Sequence, residues 1–292
     1  MYYTQLRAFH AVAKAGGFSS GAQSLGLTQP AVSDQVRKLE DAFGVVLFNR
    51  GKRKISITAT GAHLLNITNR LFQVESEAVS YLAEAEALQS GALKIMTDSA
   101  FHVTQILRRF RDTYPGITLS IGIGNSEKVA ARLLSYEADI GVFADTLDDP
   151  RFLAIKLGTD RLVAFVESGH RLAKQTTITL AELAGETLVL RERGSVTRRL
   201  IEQAFADSTL VPVRPIEVEG REAAREVVAA GIGVGIVSKP EFGYDGRLHL
   251  IEISDSDQAM DETIVCLAAR SEQRLIRAFL DCAQTEISQQ NT

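Results

Sequence analysis

A chain of 292 residues with 45% hydrophobic and 23% charged side chains has the composition of a folded protein with material for two or three domains. Two cysteines, Cys266 and Cys282, exclude a disulfide framework, and their apolar surroundings suit buried, inert thiols. No run approaches the roughly 18 consecutive apolar residues of a membrane span, and the Met-Tyr-Tyr-Thr-Gln start lacks the pattern of a secretion signal, so the expected location is the cytoplasm.

The net charge of −4 hides an uneven distribution. Residues 1–60 hold Arg7, Lys14, Arg37, Lys38, Arg50, Lys52, Arg53 and Lys54 against Asp34, Glu40 and Asp41, a local net of +5, which leaves the rest strongly acidic. A basic head on an acidic body is the footprint of a nucleic-acid binder.

In chain order, Leu6, Phe9, Val12 and Ala13 predict an amphipathic helix that closes near Gly16-Gly17. Next comes a short helix carrying Ala22 and Leu25, ended at Gly26 by the left-handed cap conformation. A second helix opens with Thr28 as N-cap and Pro30 in its first turn, where a missing N–H costs nothing. Two short helices about a glycine turn make a helix-turn-helix, whose second member can enter a major groove. Val32, Val36 and Leu39 would face its core, leaving Gln29, Ser33, Asp34, Gln35, Arg37 and Lys38 for base edges and phosphates. Asn49-Arg50-Gly51-Lys52-Arg53-Lys54, set between Val45–Phe48 and the alternating Ile55–Thr58, predicts a basic hairpin or wing along the phosphate backbone. A solvated charge run would give the same wing composition; the succession of turn, recognition face and wing favours a winged DNA-binding domain.

From Thr58 to about Leu88 there is no proline. Leu64, Ile67, Leu71, Val74, Ala78, Tyr81-Leu82, Ala85 and Leu88 keep a spacing of three or four. So long a helix with one apolar seam predicts pairing with a second copy. Ser90-Gly91 then marks a change to strand–helix alternation. Strands are predicted over 92–96, 117–121, 138–143, 162–166, 187–190, 214–218, 235–237 and 262–268. Helices are predicted over 103–114, 128–136, 196–206, 221–230 and 272–285. That alternation implies a parallel sheet with helices on its faces.

The segment LRAFHAVAKAGGFSSGAQSLGLTQPAVSDQVRKLEDAFGVVLFNR resembles the N-terminus of LysR-type transcriptional regulators, and chain length and later organisation match that family throughout. IGNSEKV, LVLRERGSVTRR and GREAAREVVAAGIGVGIVS resemble the branch associated with 2-aminoethylphosphonate catabolism. The resemblance implies an α/β fold with an N-terminal winged helix-turn-helix (1–60), a long linker and dimerisation helix (61–90) and a two-lobed, periplasmic-binding-protein-like effector domain (91–292). Lobe I is expected over about 92–161 and 266–292, and lobe II over about 162–265. It also implies a homodimer or homotetramer on double-stranded DNA, an effector between the lobes, and RNA polymerase as a further partner. Asp34 departs from the family pattern, bringing a negative charge toward DNA; it would either accept from a cytosine amino group or order Arg37 or Lys38.

Ligands of open α/β sheets collect at the carboxyl ends of strands, beside helix N-termini. Thr97-Asp98-Ser99, Gly124-Asn125-Ser126 and Gly194-Ser195-Val196-Thr197 occupy such places, although each also serves as a plain helix cap. Arg221 would grip an oxyanion and Glu222 an amine, with Arg191 and Arg193 as alternatives. Together they suit a small anionic or zwitterionic effector such as 2-aminoethylphosphonate, or another small carboxylate or amino acid. Gly231-Ile-Gly-Val-Gly lacks the dinucleotide spacing. The five histidines show no ligand spacing and no catalytic constellation is evident, so no cofactor, no metal and no enzyme activity are expected. The rival expectation is a cytoplasmic solute-binding protein.

Overall fold

The structure, a computed structural model, describes residues 2–50, 55–82, 90–144 and 148–290. It divides into two compact units, the first built mainly from residues 1–87 and the second from residues beyond them.

The first unit opens with α1 (Tyr3–Ala15), α2 (Phe18–Ser24) and α3 (Gln29–Phe43). The strands β1 (Phe48–Arg50) and β2 (Ile55–Ile57) pair antiparallel, and α4 (Ala59–Leu82) follows. Phe9, Val12, Val32, Val36, Leu39 and Leu47 are buried in one core, so the apolar stripes of α1 and α3 face each other as their spacing requires. Gly21 lets α2 approach α1: a Cβ there would meet the Val12 backbone at 2.8 Å. Gly26 makes the turn at φ 65°, a conformation open to glycine at little cost. Thr28 takes the extended N-cap conformation, but its side chain makes no capping bond. Glu40 reaches forward from α3, where Oε1 accepts from the backbone N–H of Leu47 (2.8 Å) and Phe48 (3.3 Å) and fixes the start of the wing. On α4, Phe72 stacks on Tyr3 and His10, while Ile67, Leu71, Val74 and Ala78 lie exposed along another face. The rest of the seam expected at 83–89 falls outside the described residues.

The second unit holds, in order, β3 (Gly91–Thr97), α5 (Thr104–Thr113), β4 (Ile117–Ile123), α6 (Ser126–Leu134), β5 (Ile140–Ala144) and β6 (Phe152–Glu167). Then come β7 (Thr177–Ile178), α7 (Leu180–Ala184), β8 (Leu188–Arg191), α8 (Val196–Asp207), β9 (Ile216–Val218) and α9 (Arg221–Ala229). Strands β10 (Val234–Ser238), β11 (Leu248–Ile253) and β12 (Ala259–Leu267) precede α10 (Arg274–Gln290). The strand order is β4-β3-β5-β12-β6-β10-β8-β9, with β11 against β6 and β7 against β11. Within each lobe three strands run parallel. The joining strands do not. The long β6 is antiparallel to β12, β10 and β11, and β12 is antiparallel to β5.

The parallel sheet expected from the sequence is therefore corrected to a mixed one, with β6 running through both lobes. Its first half, FLAIKLGTDR, alternates exposed and half-buried positions with Lys156, Gly158 and Asp160 interrupting the apolar series, which is why only 162–166 was legible as a strand. Lobe I packs Phe110, Ile95, Ile140 and Cys266 against Phe279 and Cys282 of α10. Lobe II fills one sheet face with Leu183, Leu188, Ile201 and Phe205 and the other with Val163, Phe165, Val189 and Val228. Burial pushes the Cys266 thiol up to about 11. Among the described residues no helix is long and apolar enough to cross a membrane.

Candidate functional site

Two surfaces carry chemistry. On α3, Thr28, Gln29 and Pro30 stand exposed at the N-terminus, where a recognition helix meets base edges. Ser33, Asp34 and Gln35 are half-buried, and Arg37 and Lys38 are exposed one turn further on. Asp34 is committed within its own helix: Lys38 Nζ lies 2.8 Å from Oδ2 and Arg37 Nη2 donates to Oδ1 at 3.1 Å. The Lys38 hydrogen bond, followed by the Lys38 charge and Arg37, holds the Asp34 carboxyl below the usual range. Arg50 closes β1, but its side chain, with Lys52, Arg53 and Lys54, lies outside the described residues.

The second surface is a buried polar crevice between the lobes, at the strand ends where α/β folds collect ligands. The Thr97 hydroxyl donates to the Ser99 carbonyl at 2.6 Å and accepts from the Ser99 N–H, holding the turn after β3. Asp98, within that turn, accepts from the Ala144 N–H at 3.1 Å, and the Ser126 hydroxyl lies 3.3 Å away. Its other oxygen is buried without a hydrogen-bond partner. From lobe II, Arg221 reaches Glu241 with Nη1 2.5 Å from Oε1.

Four further groups converge here that sequence reasoning did not bring together. His102 Nε2 lies 3.3 Å from Glu241 Oε1, 3.4 Å from Glu262 Oε1 and 3.7 Å from Asp160 Oδ2. The Glu241 and Glu262 side chains are 1% and 2% exposed. Burial, then the charges of Asp98, Glu241 and Asp160, push the Glu262 carboxyl up to about 10. Burial works in the same direction on Glu241, but His102 and Arg221 hold it down to about 2. Positions 102, 160, 241 and 262 share no sequence motif; only the pairing of β6 with β12 and β10 assembles them.

Several expected residues sit elsewhere. Asn125 donates to Glu192 Oε1 (3.2 Å) and to the Arg193 carbonyl (3.1 Å), so it links the lobes. Arg191, an alternative oxyanion partner in the sequence, is instead engaged by Glu192 through two bonds of 2.9 and 3.0 Å. Burial opposes ionisation of Glu192, yet Arg191 and the Gly220 N–H hold it down to about 2. Arg193 and Glu222 are exposed. Ser195 and Thr197 are buried at the start of α8, with no capping bond from Ser195.

A recognition helix with its wing, followed by a two-lobed α/β unit with a polar crevice, defines a ligand-responsive DNA-binding protein. Family models agree. Residues 3–62 match the bacterial regulatory helix-turn-helix protein of the lysR family, and residues 86–288 match the LysR substrate binding domain. The chain belongs to the LysR family: it is a DNA-binding transcription regulator with an effector-binding domain, and the matching families are regulators rather than enzymes. The HTH-type transcriptional activator CmpR of Synechocystis sp. is 29% identical, covering 95% of this chain and 93% of that one. The HTH-type transcriptional regulator CfxR of Cupriavidus necator is 30% identical over 95% and 88%. The RuBisCO operon transcriptional regulator of Allochromatium vinosum is 30% identical over 85% and 80%. In fold the chain is similar to a full-length OxyR variant from Pseudomonas aeruginosa (TM-score 0.76, 20% identity, 97% and 95% covered). It is also similar to full-length CbnR complexed with its target DNA (TM-score 0.69, 21% identity, 98% and 99% covered).

Proposed function

We propose that this regulator is a cytoplasmic homodimer or homotetramer that reads a dyad-symmetric site and answers to a small zwitterion held between its lobes. Gln29, Ser33, Gln35, Arg37 and Lys38 supply readout with Thr28 and Pro30 at the helix entry, and the wing residues Arg50, Lys52, Arg53 and Lys54 supply phosphate contacts. Asp34 pairs with Arg37 and Lys38 along the helix rather than touching a base. The exposed seam Ile67, Leu71, Val74 and Ala78 on α4 is the surface for pairing, since apolar residues at that spacing are otherwise left in water.

One observation carries the effector reading. In the crevice Asp98, Asp160 and Glu241 face Arg221 and His102, while burial keeps the Glu262 carboxyl protonated at neutral pH, so a plain anion would meet little net positive charge. A molecule with an ammonium group beside its oxyanion fits better: Asp98 takes the ammonium, while Arg221 and the hydroxyl-lined loops of Thr97, Ser99 and Ser126 take the oxyanion. The likeness of three segments to regulators of 2-aminoethylphosphonate catabolism makes that compound the first candidate; a small amino acid has the same chemistry. The effector must bind one arrangement of the oligomer better than another for DNA binding to respond.

Calorimetric titration of the full chain with 2-aminoethylphosphonate, phosphonoacetate, phosphate and a few amino acids tests this. Saturable binding of an ammonium-bearing member, lost in Asp98→Asn, is expected. Preference for phosphate or phosphonoacetate would overturn the zwitterion reading.

A further inference from the structure

We infer that His102, Glu241 and Glu262, with Asp160 beside them, form a binding site for one first-row divalent transition-metal ion that ties the two lobes together. His102 lies in the 101–103 turn after β3, Glu241 in the 240–242 turn after β10, and Asp160 and Glu262 on the two joining strands β6 and β12. The four come from four separate segments, and their donor atoms point at one place.

The distances suit a metal ion. The donors of His102, Glu241 and Glu262 all lie within 4.8 Å of one another, and three carboxylate oxygens stand 3.3, 3.4 and 3.7 Å from His102 Nε2. Ligands at about 2.0–2.2 Å from a tetrahedral ion are separated by about 3.4 Å. A carbon-bearing ammonium holds partners near 2.8 Å from its nitrogen, hence about 4.6 Å from one another, wider than the three separations from His102 Nε2. The zwitterion therefore belongs nearer Asp98, and the metal site extends the effector reading without resting on the effector's identity.

Burial is the second observation. Both carboxylate oxygens of Glu262 are enclosed without a hydrogen-bond partner, and so are His102 Nε2, Asp160 Oδ2 and both oxygens of Glu241. The Arg221 contact with Glu241 is close but out of line for a hydrogen bond. Buried groups of this kind are ordinarily satisfied, and so many orphans aimed at one point match a missing cation better than a missing proton on each. An imidazole among carboxylates favours zinc, manganese, iron, cobalt or nickel over calcium or magnesium, which prefer an all-oxygen shell. Arg221 contacts the same Glu241 oxygen that faces His102, so metal loading would compete with or displace that contact. A bound ion would hold a turn of one lobe to a turn of the other across β6 and β12, so metal loading and lobe arrangement become coupled.

The test uses the untagged full chain, stripped with a chelator and titrated with Zn²⁺, Mn²⁺ and Mg²⁺ by calorimetry. Expected is one equivalent of Zn²⁺ or Mn²⁺ bound saturably, weakened at least tenfold in both H102A and E262Q, with Mg²⁺ much weaker. Thermal unfolding guards against misfolded variants. E262Q keeps the shape of the side chain and places no charge in the enclosure, so its metal-free form should melt no lower than the parent while its zinc-induced upshift disappears. A site that merely holds protonated carboxylates would bind no metal. That result, metal binding unchanged in both variants, or Mg²⁺ bound as tightly as Zn²⁺, would overturn the proposal. A parallel titration with 2-aminoethylphosphonate separates failure here from failure of the effector reading.

Discussion

At the scale of single residues, the most informative side chains are those whose partners lie far off in sequence. Glu192 holds Arg191, Asn125 and the Gly220 N–H at once, and the Arg191 side chain is only 8% exposed. Glu192→Ala strands that guanidinium and should cost about 3 kcal/mol of unfolding free energy by denaturant titration. The Glu192 carboxyl is depressed to about 2, so its contribution is present above the ordinary carboxylate range and fades as pH falls toward 2. Wild type and Glu192→Gln should therefore converge in melting temperature as the solution is acidified through that window; divergence on acidification would contradict the assignment. Residues bearing local signals, such as Pro30 or the 97–99 loop, were legible in the sequence because their role depends on a neighbour a few positions away. Glu192, His102, Glu241 and Glu262 were not, because a carboxylate looks alike whether it ends in water or against β12.

At the scale of elements, the helix-turn-helix was readable since the periodicity of α1 and α3 directly encodes which face is buried. Phe9, fully buried under both, is expected to cost about 3–5 kcal/mol on truncation to alanine, measured as loss of head stability with the α/β unit unaffected. The wing depends on Glu40, whose removal leaves the Leu47 and Phe48 N–H groups short of a partner; Glu40→Ala should lose about 1–3 kcal/mol of head stability. Asp34 pairs with Lys38 and Arg37 along α3. Asp34→Ala should leave sequence preference unchanged and strengthen binding by up to about fivefold at low salt, because an exposed pair of this kind is worth little and its negative charge faces DNA. A changed preference in a binding-site selection would instead assign Asp34 to a base. Elements that sequence patterning missed were hidden by interrupted patterning or by short length. The first half of β6 alternates with charge and glycine, and α7, with five residues and a Thr179–Glu182 capping box, is shorter than two helical turns.

At the scale of the whole molecule, family membership follows from models spanning both the head and the lobes, whereas the effector depends on a few crevice residues that a 30% identity does not transfer. The two joining strands β6 and β12 run antiparallel through the middle of the sheet order, so anything bound at their crossing bears on both lobes. In the proposed dimer, pairing along α4 would set the distance between two recognition helices. Leu71→Glu in the exposed seam should shift sedimentation toward monomer and weaken DNA binding by far more than any single wing substitution. The most direct measurement is a footprint of the full chain on DNA selected from a random pool, with and without the ligand found by calorimetry. Expected are two dyad-related protected half-sites, about one helical turn or a multiple apart, whose spacing or extent changes when the ligand is added. A single protected half-site, indifferent to ligand, would contradict a paired, ligand-responsive regulator.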